Sequence, residues 1–207
     1  MDRLAKTFSV ATLTIALLAA GFSLTQPAQA AGSAAAAPIS ATCPALLQRD
    51  MLRLQDEKPQ ALCQYAGRVL LVVNTASFCG FTSQYKALEA LSARYAERGL
   101  VVLGFPSNDF GSQEPGSNKE IADFCENTFN VKFPMFAKSR VLPGKAGATT
   151  TNPLFADLAR RTGQSPQWNF HKYLISRDGK DVQSFASDVD PSTPAFAQGV
   201  ERLLSKP

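Results

Sequence analysis

The chain has 207 residues, 45% of them hydrophobic, with 21 basic and 17 acidic residues and a formal net charge of +4. That length and apolar content suit one domain of ordinary size with a real core, and they exclude a wholly disordered chain. So small a charge, with no basic run or stripe, argues against a nucleic-acid partner.

At the N-terminus, Arg3 and Lys6 precede an apolar run from about Phe8 to Leu24, and Pro27-Ala28-Gln29-Ala30 completes an A-x-A pattern. This is the order of a secretory signal peptide, expected over 1–30 with cleavage after Ala30. The run is short and diluted by Ala and Thr, which speaks against a membrane anchor. Export to a periplasm or the medium puts the mature chain where disulfides persist. Residues 31–42 are Ala-rich and read as a flexible leader to a domain over 43–207.

Leu46, Leu47, Met51, Leu52 and Leu54 give a short helical period that Pro59 stops. Val69-Leu70-Leu71-Val72-Val73 is a continuous apolar run and reads as a buried strand. Phe81, Tyr85, Leu88, Leu91 and Tyr95 then recur at helical steps. Thr82 or Ser83 is the expected cap, and Arg98-Gly99 the stop. Leu100 to Phe105 is a second buried strand. Two strands joined by a helix-length crossover call for parallel pairing. Pro106 to Gly111 is loop by composition.

Ser117 and Glu120 have capping-box spacing, and Ile121, Phe124, Cys125 and Thr128 share one face of a helix ending near Asn130. Leu142 to Thr151 is Gly, Ala and Thr with little to bury, so a mobile loop. Asn152-Pro153 opens a helix that Gly163 stops. His171–Ile175 and Val182–Phe185 read as strands around the turn Arg177-Asp178-Gly179-Lys180. Phe196, Val200, Leu203 and Leu204 mark a final helix. The expected class is α/β with a thioredoxin-like layout: a central mixed sheet of four or five strands with helices on both faces.

Cys79 falls in the turn between the first strong strand and its helix. Helix N-termini present unpaired N–H groups and the positive end of the dipole, and there a thiol is readily converted to the reactive thiolate. Gly80 is expected to keep the sulfur uncrowded. A small buried residue filling a turn is the plain alternative.

Three stretches carry a more specific signal: Asn74-Thr75-Ala76-Ser77-Phe78-Cys79-Gly80-Phe81-Thr82, Phe105-Pro106-Ser107-Asn108-Asp109-Phe110-Gly111-Ser112-Gln113-Glu114-Pro115-Gly116, and Trp168-Asn169-Phe170-His171-Lys172-Tyr173-Leu174. In this order they resemble the three motifs of the glutathione peroxidase family, with cysteine where some members carry selenocysteine. The resemblance runs from about Val69 to Leu204. It implies a catalytic tetrad of Cys79, Gln113, Trp168 and Asn169. It further implies reduction of hydrogen peroxide or organic hydroperoxides through a sulfenic acid on Cys79, with glutathione or a thioredoxin-like donor as reductant. The amides and the indole N–H can donate to an anionic sulfur without competing for its proton.

Cys125 lies in the helix where thioredoxin-dependent members keep a resolving cysteine. Cys43 and Cys63 fall outside every family motif and are expected to form a structural disulfide in an exported chain. Two positions depart from the family pattern, Ser107 where Cys is common and Asp109 where Gln is common. The stretch from Pro134 to Trp168 is too short for the segment that supports tetramers, so a monomer or dimer is expected.

No cofactor motif is present. A single histidine, His171, and scattered cysteines make no metal site. A base role for His171 is disfavoured by its place on a strand beyond Asn169. One rival on the same fold is a thiol–disulfide oxidoreductase, against which the C-x-x-C motif is missing. A non-enzymatic redox relay is the other.

Overall fold

The computed structural model describes residues 42–143 and 150–206. The expected signal peptide, nearly all of the leader and most of the 142–151 loop lie outside the described residues.

Four strands build the central sheet: β3 (Val69–Thr75), β4 (Leu100–Pro106), β5 (Lys172–Ile175) and β6 (Val182–Phe185), in the order β4-β3-β5-β6. β3 pairs in parallel with β4, Val69 opposite Leu100 through Thr75 opposite Pro106. On its other side β3 pairs antiparallel with β5, and β5 with β6. Every residue of β3 is buried, as a continuous apolar run requires of a strand covered on both faces.

The pleat sends alternate β3 side chains to opposite faces. Val69, Leu71 and Val73 pack with Tyr85, Leu88 and Leu91 of α1 (Gln84–Tyr95), Ile121 and Cys125 of α2 (Asn118–Phe129), and Phe196, Val200 and Leu203 of α4 (Pro194–Leu204). Leu70 and Val72 pack with Leu154, Phe155 and Leu158 of α3 (Pro153–Thr162). Helices therefore cover both faces, and the sheet has the four strands of a thioredoxin-like α/β fold.

The caps of α2 and α3 are where the sequence puts them. Ser117 and Glu120 make a complete capping box on α2, and the Asn152 side chain accepts from the Leu154 N–H ahead of α3. The N-terminal helical period is not realised. Residues 45–47 form one 3₁₀ turn, and β1 (Asp50–Leu52) and β2 (Pro59–Ala61) form an antiparallel hairpin. Leu46 and Leu47 belong to the α3 side of the core and Leu54 to the α1 side, so no single helix face could serve them. Backbone bonds from Leu54 N–H to the Met135 carbonyl and from Ala137 N–H to the Leu52 carbonyl hold the segment extended. Cys43 and Cys63 are joined by a disulfide with Cα atoms 5.3 Å apart. It closes the hairpin segment immediately before β3.

Candidate active site

The three motifs converge beyond the carboxyl ends of β3 and β4, the usual place for a site in an open α/β sheet. Asn74, near the end of β3, organises one side. Its backbone pairs with the His171 carbonyl and the Phe170 N–H, and its side-chain amide donates to the Trp168 carbonyl at 3.1 Å. Phe170 turns the chain between Asn169 and β5 with φ of 62°, a left-handed conformation that a bulky residue rarely takes. On the other side, Ser107 N–H bonds the Thr75 carbonyl, and the loop returns so that the Gln113 carbonyl accepts from Phe78 N–H at 3.1 Å.

Cys79 is nearly buried, at 9% exposure. From Cys79 onward the chain already turns helically: Thr82 N–H bonds the Cys79 carbonyl, Gln84 N–H that of Phe81 and Tyr85 N–H that of Thr82. These three-residue steps satisfy the donors at the start of α1. That is why neither expected cap operates: Ser83 makes no side-chain cap. The Thr82 hydroxyl instead accepts from Cys79 N–H at 3.0 Å and donates to the Ala76 carbonyl at 2.9 Å. The Phe81 N–H points at the Cys79 Sγ at 3.4 Å, a donor aimed at the atom that carries charge when the thiol ionises. Gly80 is not what makes room, because a Cβ there would meet nothing within 4 Å.

Gln113 and Asn169 are brought into direct contact. Asn169 is fully buried and its Nδ2 donates to the Gln113 Oε1 at 2.9 Å. That bond occupies the acceptor of Gln113 and leaves its NH₂ group as the donor. Trp168 is 39% exposed and leans on Phe110, ring centroids 5.8 Å apart. Gly111, at φ of 61°, passes beneath both: a Cβ there would lie 3.5 Å from Trp168 Cη2 and from Gln113 Cγ. Asp109, one of the departures from the family pattern, accepts from Val141 and Leu142 N–H at 2.7 and 2.9 Å and faces Arg140. It pins the loop that carries Gln113.

A model of the family described as glutathione peroxidase matches residues 50–157, more than half of the chain. This chain belongs to the glutathione peroxidase family. It is similar to the hydroperoxy fatty acid reductase gpx1 of Synechocystis sp., 43% identical over 162 residues, covering 72% of this chain and 90% of the relative. It is similar also to the thioredoxin/glutathione peroxidase BtuE of Escherichia coli, 37% identical over 175 residues, covering 73% and 93%. Among solved structures, the apo form of Trgpx matches with a TM-score of 0.62 at 31% identity, covering 80% of this chain and 99% of that one. The enzyme is a thiol-dependent peroxidase.

Within this peroxidase, Cys79 and Cys125 are both free and both buried, in the same core cluster. Burial pushes the Cys125 thiol up to about 11. α2, which carries it, is capped at both ends: the Ser117–Glu120 box at the start, and Asn130 in the left-handed conformation at the close, with Val131 N–H on the Cys125 carbonyl. His171 is held neutral, its pKa pushed down to about 4 by burial and then by Lys172, while Nε2 meets Ser184 Oγ at 2.8 Å. Among the described residues no cluster of three or more His, Cys, Asp or Glu could hold a metal. No helix among them is long and apolar enough to cross a membrane.

Reading residue types missed one group. Glu114, next to Gln113, is 1% exposed. Burial raises its carboxyl to about 7, partly offset by Ser77 and by Lys138. Its only signal in the sequence is a carboxylate directly beside Gln113 in the second motif. A cleft of about 360 Å³ runs beside it, lined by Ser77, Phe78, Pro115, Ile121 and Phe124.

Proposed function

We propose that Cys79 is the peroxidatic cysteine, acting on hydrogen peroxide or an organic hydroperoxide. Its thiolate attacks the distal peroxide oxygen. The O–O bond breaks, the alkoxide or hydroxide leaves and takes a proton, and Cys79 becomes a sulfenic acid. Gln113, Asn169 and Trp168 are the donors for the charged sulfur and the departing oxygen. Cys125 then attacks the sulfenic sulfur, water leaves, and a Cys79–Cys125 disulfide forms. A dithiol donor of the thioredoxin kind, or two glutathiones, reduces that disulfide. The relatives' names supply the donor classes: BtuE is called a thioredoxin/glutathione peroxidase. The domain spans 43–207 and is exported after cleavage at Ala30.

The observation that carries this reading is the locked amide pair. Asn169 takes the Gln113 acceptor at 2.9 Å, which leaves the Gln113 NH₂ free to donate, and the Phe81 N–H faces the sulfur; both support a donor role around Cys79. A disulfide requires Cα atoms within about 7 Å; both thiols are free in the resting fold and buried in the same core cluster. The test is Cys79→Ser and Cys125→Ser under steady peroxide with each reductant. Cys79→Ser should be inactive with its fold intact. Cys125→Ser should keep the first oxidation, trap a sulfenic acid and lose turnover with the thioredoxin-like donor. Wild-type rates in Cys79→Ser would refute the assignment.

A further inference from the structure

Four segments meet around Glu114: the β3–α1 loop brings Ser77, α1 brings Tyr85, α2 brings Cys125, and the extended segment after α2 leads to Lys138. Five oxygens there are buried: both of Glu114, Ser77 Oγ, Thr75 Oγ1 and Tyr85 Oη. Ser77 lies beside the Glu114 carboxyl, and Thr75 beside the Tyr85 hydroxyl, so a carboxyl with no cationic partner in hydrogen-bond contact sits within a buried polar cluster, which calls for an explanation. Lys138 acts on the carboxylate only through its field, since its Nζ donates to the backbone carbonyls of Glu114, Pro115 and Gly116. Glu120, on the cleft rim, is engaged with Ser117. Glu114 is the carboxyl whose charge acts on both Tyr85 and Cys125, and the Tyr85 hydroxyl lies against the Cys125 thiol.

The resolving step has a proton problem. The attacking species is a thiolate, and Cys125, buried as it is, holds its proton firmly at neutral pH. We propose that Glu114 is the base that takes the Cys125 proton as Cys125 attacks the oxidised Cys79. This rests on the reading of Cys125 as the resolving cysteine. The Cys125 S–H proton passes to the Glu114 carboxylate. The Cys125 sulfur bonds the Cys79 sulfur, the S–O bond of the sulfenic acid breaks, and the departing hydroxide recovers the proton from Glu114 as water. Glu114 ends as it began, and the two electrons that reduced the peroxide are balanced by the new disulfide.

The fluorescence of Trp168, the single tryptophan of the chain, is followed after mixing with one equivalent of hydrogen peroxide, the first phase assigned to oxidation of Cys79 and the second to disulfide formation by quenching and mapping at each time. General-base catalysis is worth about 10²–10⁴ in rate. Glu114→Gln should slow the second phase at least ~10-fold more than the first. Glu114→Asp, which keeps a base, should recover part of the loss. The wild-type second phase should rise with pH through about 7 as Glu114 ionises, and Glu114→Gln should lack that inflection. Non-reducing peptide mapping of the oxidised wild type separates two failures. Without a Cys79–Cys125 link, the resolving reading falls and this proposal with it. With the link present, a Glu114→Gln second phase slowed no more than its first overturns the role of Glu114 alone. Should Glu114→Gln not fold, a wild-type second phase that is flat across neutral pH overturns it.

Discussion

Glu114→Gln offers a test of the buried carboxyl at equilibrium, independent of kinetics. The native carboxyl titrates near 7 against 4.5 for an unperturbed one. Between those values the native state holds more protons than the unfolded chain, so stability falls as pH rises. The full effect is the shift times about 1.4 kcal/mol per unit, or about 3 kcal/mol. None of that loss is present below about 4.5, and all of it above about 7. Glutamine has nearly the same shape and never ionises. The stability of Glu114→Gln relative to wild type should therefore climb by about 3 kcal/mol in favour of the variant between acid and mildly alkaline buffer. Other groups cancel in that difference, and burial pushes Cys125 and Tyr85 to titrate above the window. Urea unfolding of both proteins at several pH values, oxygen excluded, measures it. Parallel curves, with a difference constant to within about 1 kcal/mol, would show that the carboxyl is hydrated or paired in solution and that the argument from burial is wrong.

Breaking the disulfide with Cys43→Ser should cost about 3 kcal/mol by loop entropy for a closure of 20 residues, read by denaturant unfolding. Asn169→Ala frees the Gln113 acceptor and removes a buried donor, so peroxide attack should slow by about 10²–10³ with the fold retained; an unchanged single-turnover rate would remove the pair from the mechanism. Gly104→Ala places a Cβ 2.1 Å from Met135 Sδ in the middle of β4, and should lower the melting temperature measurably. Exported protein should begin at Ala31 by intact mass; a chain starting at Met1 would refute the signal peptide.

Much of the fold was legible because its signals are local. The β3 run is apolar throughout because both faces are covered, and Asn152-Pro153 and Ser117-x-x-Glu120 cap their helices through side chains two or three residues away. The hairpin over Asp50–Ala61 was not legible. Its apolar residues mimic a helical period, and it is kept extended by its own cross-strand pairing together with backbone bonds to residues 135–137. Thr82 looked like a cap, yet its hydroxyl is committed to the Cys79 turn, because donors at the start of α1 are satisfied by backbone carbonyls.

The sequence by itself determined the order of elements from β3 onward, the burial of β3 on both faces, the family and the residues of its three motifs. Those follow from periodicity and from residue chemistry within a few positions along the chain. Only the tertiary structure decided how the motifs face one another: Asn74 drawing the Trp168 backbone to the end of β3, the Asn169 amide closing on Gln113, and the Glu114 carboxyl turned inward toward Tyr85 and Cys125. Burial and hydrogen-bond pairing between residues 94 positions apart, as Asn74 and Trp168 are, are properties of packing. A carboxylate in a loop carries no mark in the sequence of whether water or the core will surround it.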